Sequence, residues 1–182
     1  GLEPNGVPET LRGSVLTFNY NKLDELEALI TQHDLAAIVM EVSRNFGPED
    51  NFLHKVRALA TKHNIVLMFD ECTSGFRQTF GGLHKLFGVE PDMAMFGKAL
   101  GNGYAITAVL GKRSIMEAAQ NTFISSTFWT ERIGPTAALA TLKVMEDTKS
   151  WETITNMGEY ITNRWIQLAK EAGFEIATSG LP

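Results

Sequence analysis

Apolar positions follow a helical period in some stretches of this chain and form short continuous runs in others, so they predict alternating helices and strands. Residues 21–34 predict an amphipathic helix, with Asn21 placed as its cap. Its apolar positions recur at helical spacing: Leu23, Leu26, Leu29 and Ile30. The next run, LAAIVMEV at 35–42, is short and partly β-branched, which predicts a strand buried on both faces.

The same order of elements repeats over residues 47–71. The segment GPEDNFLHKVRALATKHN begins with a proline and two acids, which suit the positive end of a helix. Its predicted apolar face consists of Phe52, Leu53, Val56, Leu59 and Ala60. A second apolar run, NIVLMFDE, follows at 64–71. Strand, helix and strand at this spacing predict a right-handed parallel crossover in an α/β sheet.

Beyond residue 71 the pattern predicts a loop (71–82), a helical turn (83–88) and a third strand, PDMAMFGK. YAITAVLG follows one GNG turn later and predicts a strand returning antiparallel beside the third. A short helix (114–120), an extended piece (122–127) and two longer helices (135–147 and 150–173) complete the pattern. FEIATSGLP at 174–182 predicts the start of a further strand, and the lead-in at 1–20 is rich in proline and glycine.

Composition narrows the partners to be expected. The chain has 44% hydrophobic and 20% charged residues, which favours a folded domain, and its net charge is −5. Because it contains no basic run, nucleic acid and membrane surfaces are poor candidate partners. No signal pattern or spanning apolar stretch is visible, so a cytoplasmic location is the default expectation. Cys72 is the single cysteine and the four histidines lack metal-ligand spacing, so we expect no structural metal.

Candidate chemistry gathers where predicted strands end. Ligands of open parallel sheets bind beyond the carboxyl ends of the strands, where Glu41, Asp70 and Lys98 all fall. A buried carboxylate needs a cation, and a buried lysine is an amine that can form a Schiff base. Pyridoxal phosphate uses both groups, a lysine on its aldehyde and a carboxylate on its ring nitrogen. Taken singly, Asp70 also fits a helix cap or loop residue, and Lys98 fits a solvated lysine with its stem over apolar surface.

Three segments together carry a family resemblance: IVLMFDECTSGFR, EPDMAMFGKALGNGYAITAVLG and FISSTFWTERIGPTAALATLKVME. They resemble class III aminotransferases, which are fold-type I pyridoxal phosphate enzymes, and most closely the glutamate-1-semialdehyde aminomutase-like branch. The resemblance implies the second half of a large cofactor domain, a three-layer, mostly parallel α/β sheet with one antiparallel strand. It implies a lead-in at 1–20, part of the large domain at 21–172 and the start of a small C-terminal domain at 173–182. The chain is therefore expected to be a fragment, inactive alone.

The resemblance also implies roles for residues. Lys98 matches the lysine that binds pyridoxal 5′-phosphate and then transfers a proton, and Asp70 matches the carboxylate at the ring nitrogen. Cys72 stands where the family usually has valine against the ring, so it is expected to pack there rather than to act as a nucleophile. Thr127 matches a threonine that reaches the cofactor phosphate of the neighbouring subunit, although Ser125 or Ser126 could take that part. A homodimer with shared active sites is implied.

Assignments before residue 70 are looser. Glu41 matches the start of a Glu-Pro motif, but Val42 replaces the proline. The resemblance leaves open whether Asn45 or Arg44 approaches the cofactor 3′-oxygen or a substrate carboxylate, for which an arginine fork is suited. Arg77 is expected to tie the loop that follows Asp70. The loop that cradles the phosphate and the aromatic residue that stacks on the ring are expected outside this chain.

The expected function is pyridoxal phosphate-dependent amino transfer on a small amino acid, amine or amino-sugar-type substrate. An intramolecular aminomutase of the glutamate-1-semialdehyde type is the alternative, because the residues seen here serve both reactions. Two more distant alternatives stay open. One is a phosphoacceptor receiver-like domain, which also has an acid at a strand end and a later lysine. The other is a non-catalytic dimerisation module.

Overall fold

A computed structural model of the chain describes residues 5–128 and 130–182. In these residues the strands are β1 Ala37–Glu41, β2 Val66–Asp70, β3 Met93–Phe96 and β4 Ala108–Gly111. The helices are α1 Leu23–Gln32, α2 Phe52–Lys62, α3 His84–Phe87, α4 Arg113–Met116, α5 Ile133–Thr148 and α6 Ser150–Glu171. Short 3₁₀ turns lie at Glu9–Leu11, Lys98–Leu100 and Glu117–Asn121.

The strands form one sheet in the order β1-β2-β3-β4. The pairs β1/β2 and β2/β3 are parallel, whereas β4 runs antiparallel to β3. Glu41 is paired with Asp70, and Asp70 with Met95, so the carboxyl ends of three strands share one edge. This confirms the prediction of a mostly parallel α/β sheet with one antiparallel strand.

The core lies against one face of this sheet. Leu67 and Phe69 of β2 are fully buried, while Val66 and Met68, which alternate with them along the strand, are only partly buried. Helix α1 contributes Leu26, which is 1% exposed, and helix α2 contributes its predicted apolar face. A smaller cluster surrounds the second half of the sheet and consists of Phe76, Ala94, Phe96, Leu100 and Ala138. Alternating burial along the strands explains why one face packs and the other does not.

Strand β1 corrects one prediction. It is an edge strand, and Val39 at its centre is 55% exposed, so it is not buried on both faces by the described residues. A continuous apolar run therefore indicated a strand correctly but not the packing of its second face.

Asn21 is not the cap of α1, which begins at Leu23 without a side-chain cap. Instead Asn21 has a left-handed φ of 63° and joins the loop before α2. Its Nδ2 donates to Gly47 O at 3.0 Å, and its Oδ1 accepts from Glu49 N at 3.1 Å. Helix α2 begins at Phe52, so the acids predicted for its first turn lie ahead of it.

The last residues, 174–182, form no strand, contrary to the prediction. Gly180 N donates to Asn45 O at 3.3 Å, and Leu181 packs against the main core. The two long helices leave many apolar side chains exposed. Those of α6 are Ile154, Met157, Tyr160, Ile161, Trp165, Ile166 and Leu168. Even so, no helix in the described part of the chain is long and apolar enough to cross a membrane.

Asp92 joins three elements at the amino end of β3. Its Oδ2 accepts from Leu67 N at 2.9 Å and from Arg57 Nη1 at 2.8 Å, and its Oδ1 accepts from Lys112 Nζ at 2.7 Å. Burial alone would raise the pKa of Asp92, but these donors outweigh it and lower the pKa to about 2. The carboxylate thus links β2, α2 and the end of β4 from the side opposite the carboxyl edge.

Candidate active site

The predicted residues Glu41, Asp70 and Lys98 meet at the carboxyl edge of the sheet. Glu41 ends β1, Asp70 ends β2 beside it, and Lys98 follows β3 after Gly97. This arrangement arises because parallel strands bring their carboxyl ends to one edge. The edge is the position at which open α/β sheets bind ligands.

Asp70 forms a tight turn with the residues after it. Its Oδ1 accepts a hydrogen bond from Cys72 N at 2.9 Å, the pattern of an Asx turn. The other carboxylate oxygen takes no part in this backbone bond, and among residues 5–128 and 130–182 the Cys72 thiol is the one side chain that hydrogen-bonds to the carboxylate. Asp70 is thus the last residue of β2 and also shapes the turn that follows it, and no cation lies against its carboxylate among the described residues.

Cys72 lies between Asp70 and the segment that carries Lys98. A Cβ added at Gly97 would sit 3.4 Å from Cys72 Sγ, so the glycine lies directly beside the thiol. Burial raises the pKa of the Cys72 thiol, as do the hydrogen bond and negative charge of Asp70, while the positive charge of Lys98 opposes them. A raised pKa keeps the thiol neutral, which supports a packing role.

Lys98 departs from the prediction of burial, because its side chain is exposed in this structure. The residue lies past the end of β3, where the described residues do not cover it. Its φ of 44° is left-handed, which costs of order 1 kcal/mol for a residue with a side chain. This conformation starts the 3₁₀ turn Lys98–Leu100 directly after the extended Gly97.

Thr73 was not singled out from the sequence, yet it contacts Lys98 directly. Lys98 Nζ donates to Thr73 Oγ1 at 2.5 Å across 25 positions of sequence. Arg77 Nε donates to Thr73 O at 3.3 Å, which confirms that Arg77 ties the loop. The sequence signal was a hydroxyl residue shortly after the strand end, but nothing in it indicated which of Thr73 and Ser74 faces the lysine.

A buried carboxylate, Glu71, anchors the loop beneath these residues. Its Oε1 accepts from the backbone N–H of His84 at 3.0 Å and lies 2.8 Å from His84 Nδ1. Its Oε2 accepts from Ser74 Oγ at 2.5 Å. Burial alone would raise the pKa of Glu71, but the bonds from His84 and Ser74 outweigh it and lower the pKa. We call this group, Glu71 with Ser74 and His84, the Glu71 anchor.

A pocket of about 280 Å³ opens at the end of β1. It is lined by Tyr20, Glu41, Arg44, Asn45 and Phe46. Arg44 Nη1 donates to Glu41 Oε1 at 3.1 Å, while the buried Glu41 Oε2 has no hydrogen-bond partner in the part of the chain that the structure describes. Burial raises the pKa of Tyr20 to about 12, so its hydroxyl stays protonated and donates to Val42 O. The residues predicted to bind substrate, Glu41, Arg44 and Asn45, thus line one pocket, where Glu41 Oε2 accepts no hydrogen bond from the described residues.

Thr127 stands apart from both groups. It lies in residues 122–128, which form no helix or strand, and its side chain is exposed. Ser126 Oγ accepts a hydrogen bond from Phe128 N at 3.1 Å, so the Ser126 side chain stabilises the local backbone. The structure therefore brings together Asp70, Cys72 and Lys98, and leaves Thr127 on the surface.

Comparison with known proteins identifies the family. The model of the family described as aminotransferase class-III matches residues 9–178. The chain belongs to the class III aminotransferase family. This membership excludes a phosphoacceptor receiver domain and supports an enzyme rather than a non-catalytic dimerisation module.

Curated members of the class III family are similar over nearly the whole chain. A 3-aminobutyryl-CoA aminotransferase of Cloacimonas acidaminovorans is 36% identical, covering 97% of this chain and 45% of the relative. A glutamate-1-semialdehyde 2,1-aminomutase of Citrifermentans bemidjiense is 34% identical, covering 94% of this chain and 42% of the relative. The chain spans less than half the length of these relatives.

Solved structures of PLP-containing and transaminase proteins share the fold. The Sphingopyxis FumI protein, in its PLP internal aldimine form, has a TM-score of 0.88 and 25% identity, covering 94% of this chain and 44% of that one. An omega-transaminase from Sphaerobacter thermophilus has a TM-score of 0.84 and 25% identity, covering 97% and 44%. The class III aminotransferase family and the structural neighbour in its PLP internal aldimine form together identify pyridoxal 5′-phosphate as the cofactor.

The residues present fit this cofactor. A carboxylate with no cation beside it among the described residues suits the protonated pyridine nitrogen, and a primary amine on the same sheet edge suits the aldehyde. The neutral Cys72 and the side-chain-free Gly97 offer a small, uncharged surface beside them. Among the described ranges, no cluster of three metal-ligating side chains occurs.

Proposed function

We propose that this chain carries the lysine and the carboxylate with which a transaminase binds pyridoxal 5′-phosphate, and that the full-length protein transfers an amino group on a small amino compound. The observation that carries the proposal is the position of Lys98, which shares the carboxyl edge of the sheet with Asp70 and has Cys72 beside its segment. Lys98 would hold the cofactor through its primary amine, the kind of group that reacts with an aldehyde.

Each of these residues has a distinct chemical part. When bound, the cofactor supplies an electron sink. Asp70 holds a proton at the ring nitrogen through its second oxygen. Lys98 would also accept and return a proton at its Nζ as general base and acid. Cys72 fills space against the ring with a thiol that stays neutral.

The pocket at the end of β1 serves the substrate in this proposal. Arg44 binds a substrate carboxylate or Asn45 reaches the cofactor 3′-oxygen, and the unpartnered oxygen of Glu41 accepts a hydrogen bond from the substrate amine. Thr127 binds the cofactor phosphate of a neighbouring subunit in a homodimer. Its exposed hydroxyl supports this role.

An intramolecular aminomutase is the second candidate, favoured by the 34% identity to a glutamate-1-semialdehyde 2,1-aminomutase. The two reactions differ in their products. A transaminase releases a free keto acid from the amino donor, whereas an aminomutase moves the amino group within one molecule. Incubation of the full-length protein with amino donors, followed by assay for a keto acid, separates them.

The lysine assignment is tested by trapping. The full-length protein is loaded with pyridoxal 5′-phosphate, reduced with borohydride and digested, and the modified peptide is located by mass spectrometry. We expect the reduced cofactor on Lys98, and its loss together with turnover in Lys98→Ala. Lys85→Ala is the matched control, because Lys85 is an exposed lysine whose Nζ donates to Phe80 O and to no other described residue. Full turnover by Lys98→Ala would end the proposal.

A further inference from the structure

We infer that Thr73 is a positioning residue for the Lys98 amine. The Thr73 hydroxyl holds this amine in place for the cofactor aldehyde and hydrogen-bonds to it again once the substrate has displaced it. The inference rests on the proposed function of Lys98 and deepens it. It starts from the hydrogen bond of 2.5 Å from Lys98 Nζ to Thr73 Oγ1.

The fold determines where the Thr73 hydroxyl lies. On one side, Cys72 N is bound to Asp70 Oδ1, and on the other, the buried Ser74 is bound to Glu71. The Thr73 carbonyl itself accepts from Arg77 Nε. With both neighbours and its own backbone held, Thr73 presents its hydroxyl from a rigid turn, although the lysine that it contacts is exposed.

A hydroxyl is suited to this task because it both donates and accepts hydrogen bonds. It accepts from Nζ when the lysine is an ammonium group, and it donates to the nitrogen lone pair when the lysine is a neutral amine. Serine retains both capacities. Valine has nearly the shape of threonine but neither capacity, and alanine lacks both the hydroxyl and the bulk.

Positioning matters because the Lys98 side chain is long and exposed. A free lysine side chain samples many rotamers, and ordering it costs conformational entropy. The attack on the aldehyde requires Nζ near the carbonyl carbon in one direction. Thr73 reduces the rotamers that the amine samples, so its loss should slow the formation of the C=N bond while the amine stays chemically intact.

The experiment measures cofactor capture. Full-length protein freed of cofactor is mixed with pyridoxal 5′-phosphate, and the absorbance change gives the rate constant. We expect capture to be about tenfold slower in Thr73→Val and in Thr73→Ala, and within about twofold of wild type in Thr73→Ser. Thr79→Val is the matched control, since Thr79 lies in the same loop and its side chain makes no hydrogen bond to the described residues.

A second readout separates positioning from damage to the fold. In cofactor-free protein, acetic anhydride acetylates exposed lysines whatever the orientation of their amines. Digestion and mass spectrometry then give the acetylation of Lys98 relative to that of Lys85. We expect this ratio in Thr73→Val to stay within about twofold of wild type while cofactor capture falls about tenfold. An equal fall in both quantities would indicate structural damage and would overturn the inference.

The outcomes distinguish the two proposals. If wild type forms no linkage at Lys98, the proposed function fails and the inference fails with it. If wild type captures the cofactor and Thr73→Val and Thr73→Ala capture it equally fast, only the inference is overturned. Slow capture in Thr73→Ser as well would also overturn it, because the hydroxyl would then be insufficient.

Discussion

Asp70 has a structural role in the turn after β2, and the proposed function gives the same side chain a chemical role. One carboxylate oxygen accepts from Cys72 N and shapes the turn after β2, and this bond leaves the second oxygen available. A carboxylate can do both because each oxygen accepts hydrogen bonds independently. The charge of Asp70 also helps to raise the pKa of Cys72, so the same residue keeps the neighbouring thiol neutral.

Asp70→Asn should separate these roles. The amide oxygen of asparagine can still accept from Cys72 N, so the turn is retained, but the negative charge at the ring nitrogen is lost. We expect cofactor capture within a few fold of wild type and turnover lower by about a hundredfold or more. Absorbance titration and steady-state kinetics measure the two quantities. Turnover near the wild-type value would contradict the role of Asp70.

At the scale of elements, the Glu71 anchor determines the path of the loop between β2 and α3. Glu71 is fully buried and forms hydrogen bonds with both Ser74 and His84, so the loop covers the Glu71 carboxyl group and shields it from solvent. Burial of such a group is tolerated only when its hydrogen bonds are complete. The loop that carries Thr73 is therefore held from below.

Gly82→Ala should disrupt this anchor. A Cβ at residue 82 would lie 2.3 Å from His84 Cε1 and 2.8 Å from Glu71 Oε1, so the buried pair would have to move. We expect the free energy of unfolding to fall by about 2 kcal/mol and the melting temperature by about 4–8 °C. Gly47→Ala is the control, because its added Cβ would meet nothing within 4 Å. Equal melting temperatures for the two variants would contradict this account.

The Asp92 contacts make a prediction about pH. The pKa of Asp92 falls from 3.8 to about 2 on folding, so its stabilisation is present above about pH 4 and is lost as pH falls towards 2. Asp92→Asn should lower the free energy of unfolding by about 2 kcal/mol at pH 7. Urea unfolding from pH 7 down to pH 2 should show the difference from wild type shrinking. A constant difference would contradict the prediction.

At the scale of the whole molecule, apolar surface is concentrated on the late elements. Phe123 is 96% exposed and Phe128 76% exposed, close to Thr127, and α6 has no buried residue. Exposed apolar patches of this kind mark interaction surfaces. They are consistent with the proposed homodimer in which Thr127 serves a neighbouring site.

Subunit mixing tests this dimer. Lys98→Ala and Thr127→Ala homodimers of the full-length protein should each have low activity, with Thr127→Ala weakening cofactor binding about tenfold. If Thr127 acts across the dimer, a hybrid contains one site with both substitutions and one with neither. Random mixing should then restore about a quarter of all sites. No gain in activity after verified exchange of subunits would show that Thr127 acts within its own subunit or not at all.

The order of helices and strands was predictable because it depends on local periodicity. The runs before Glu41 and Asp70, the third strand and its antiparallel successor were all correctly indicated. Residues 174–182 were not, because an apolar segment forms a strand only if a neighbouring strand is present to pair with it. Asn21 was misassigned for a similar reason, since its partners Gly47 and Glu49 lie in a distant loop.

The sequence by itself determined which residues stand at the sheet edge, a carboxylate at the end of one strand and a lysine after the next, in motifs specific enough to indicate the family. Only the tertiary structure decided that Lys98 is exposed, that Thr73 receives its amine and that Glu71 anchors the loop through His84. The physical reason is the range of the interactions. Strand ends follow from neighbouring residues, whereas contacts across 13 to 25 positions depend on the path of a loop that no local pattern specifies.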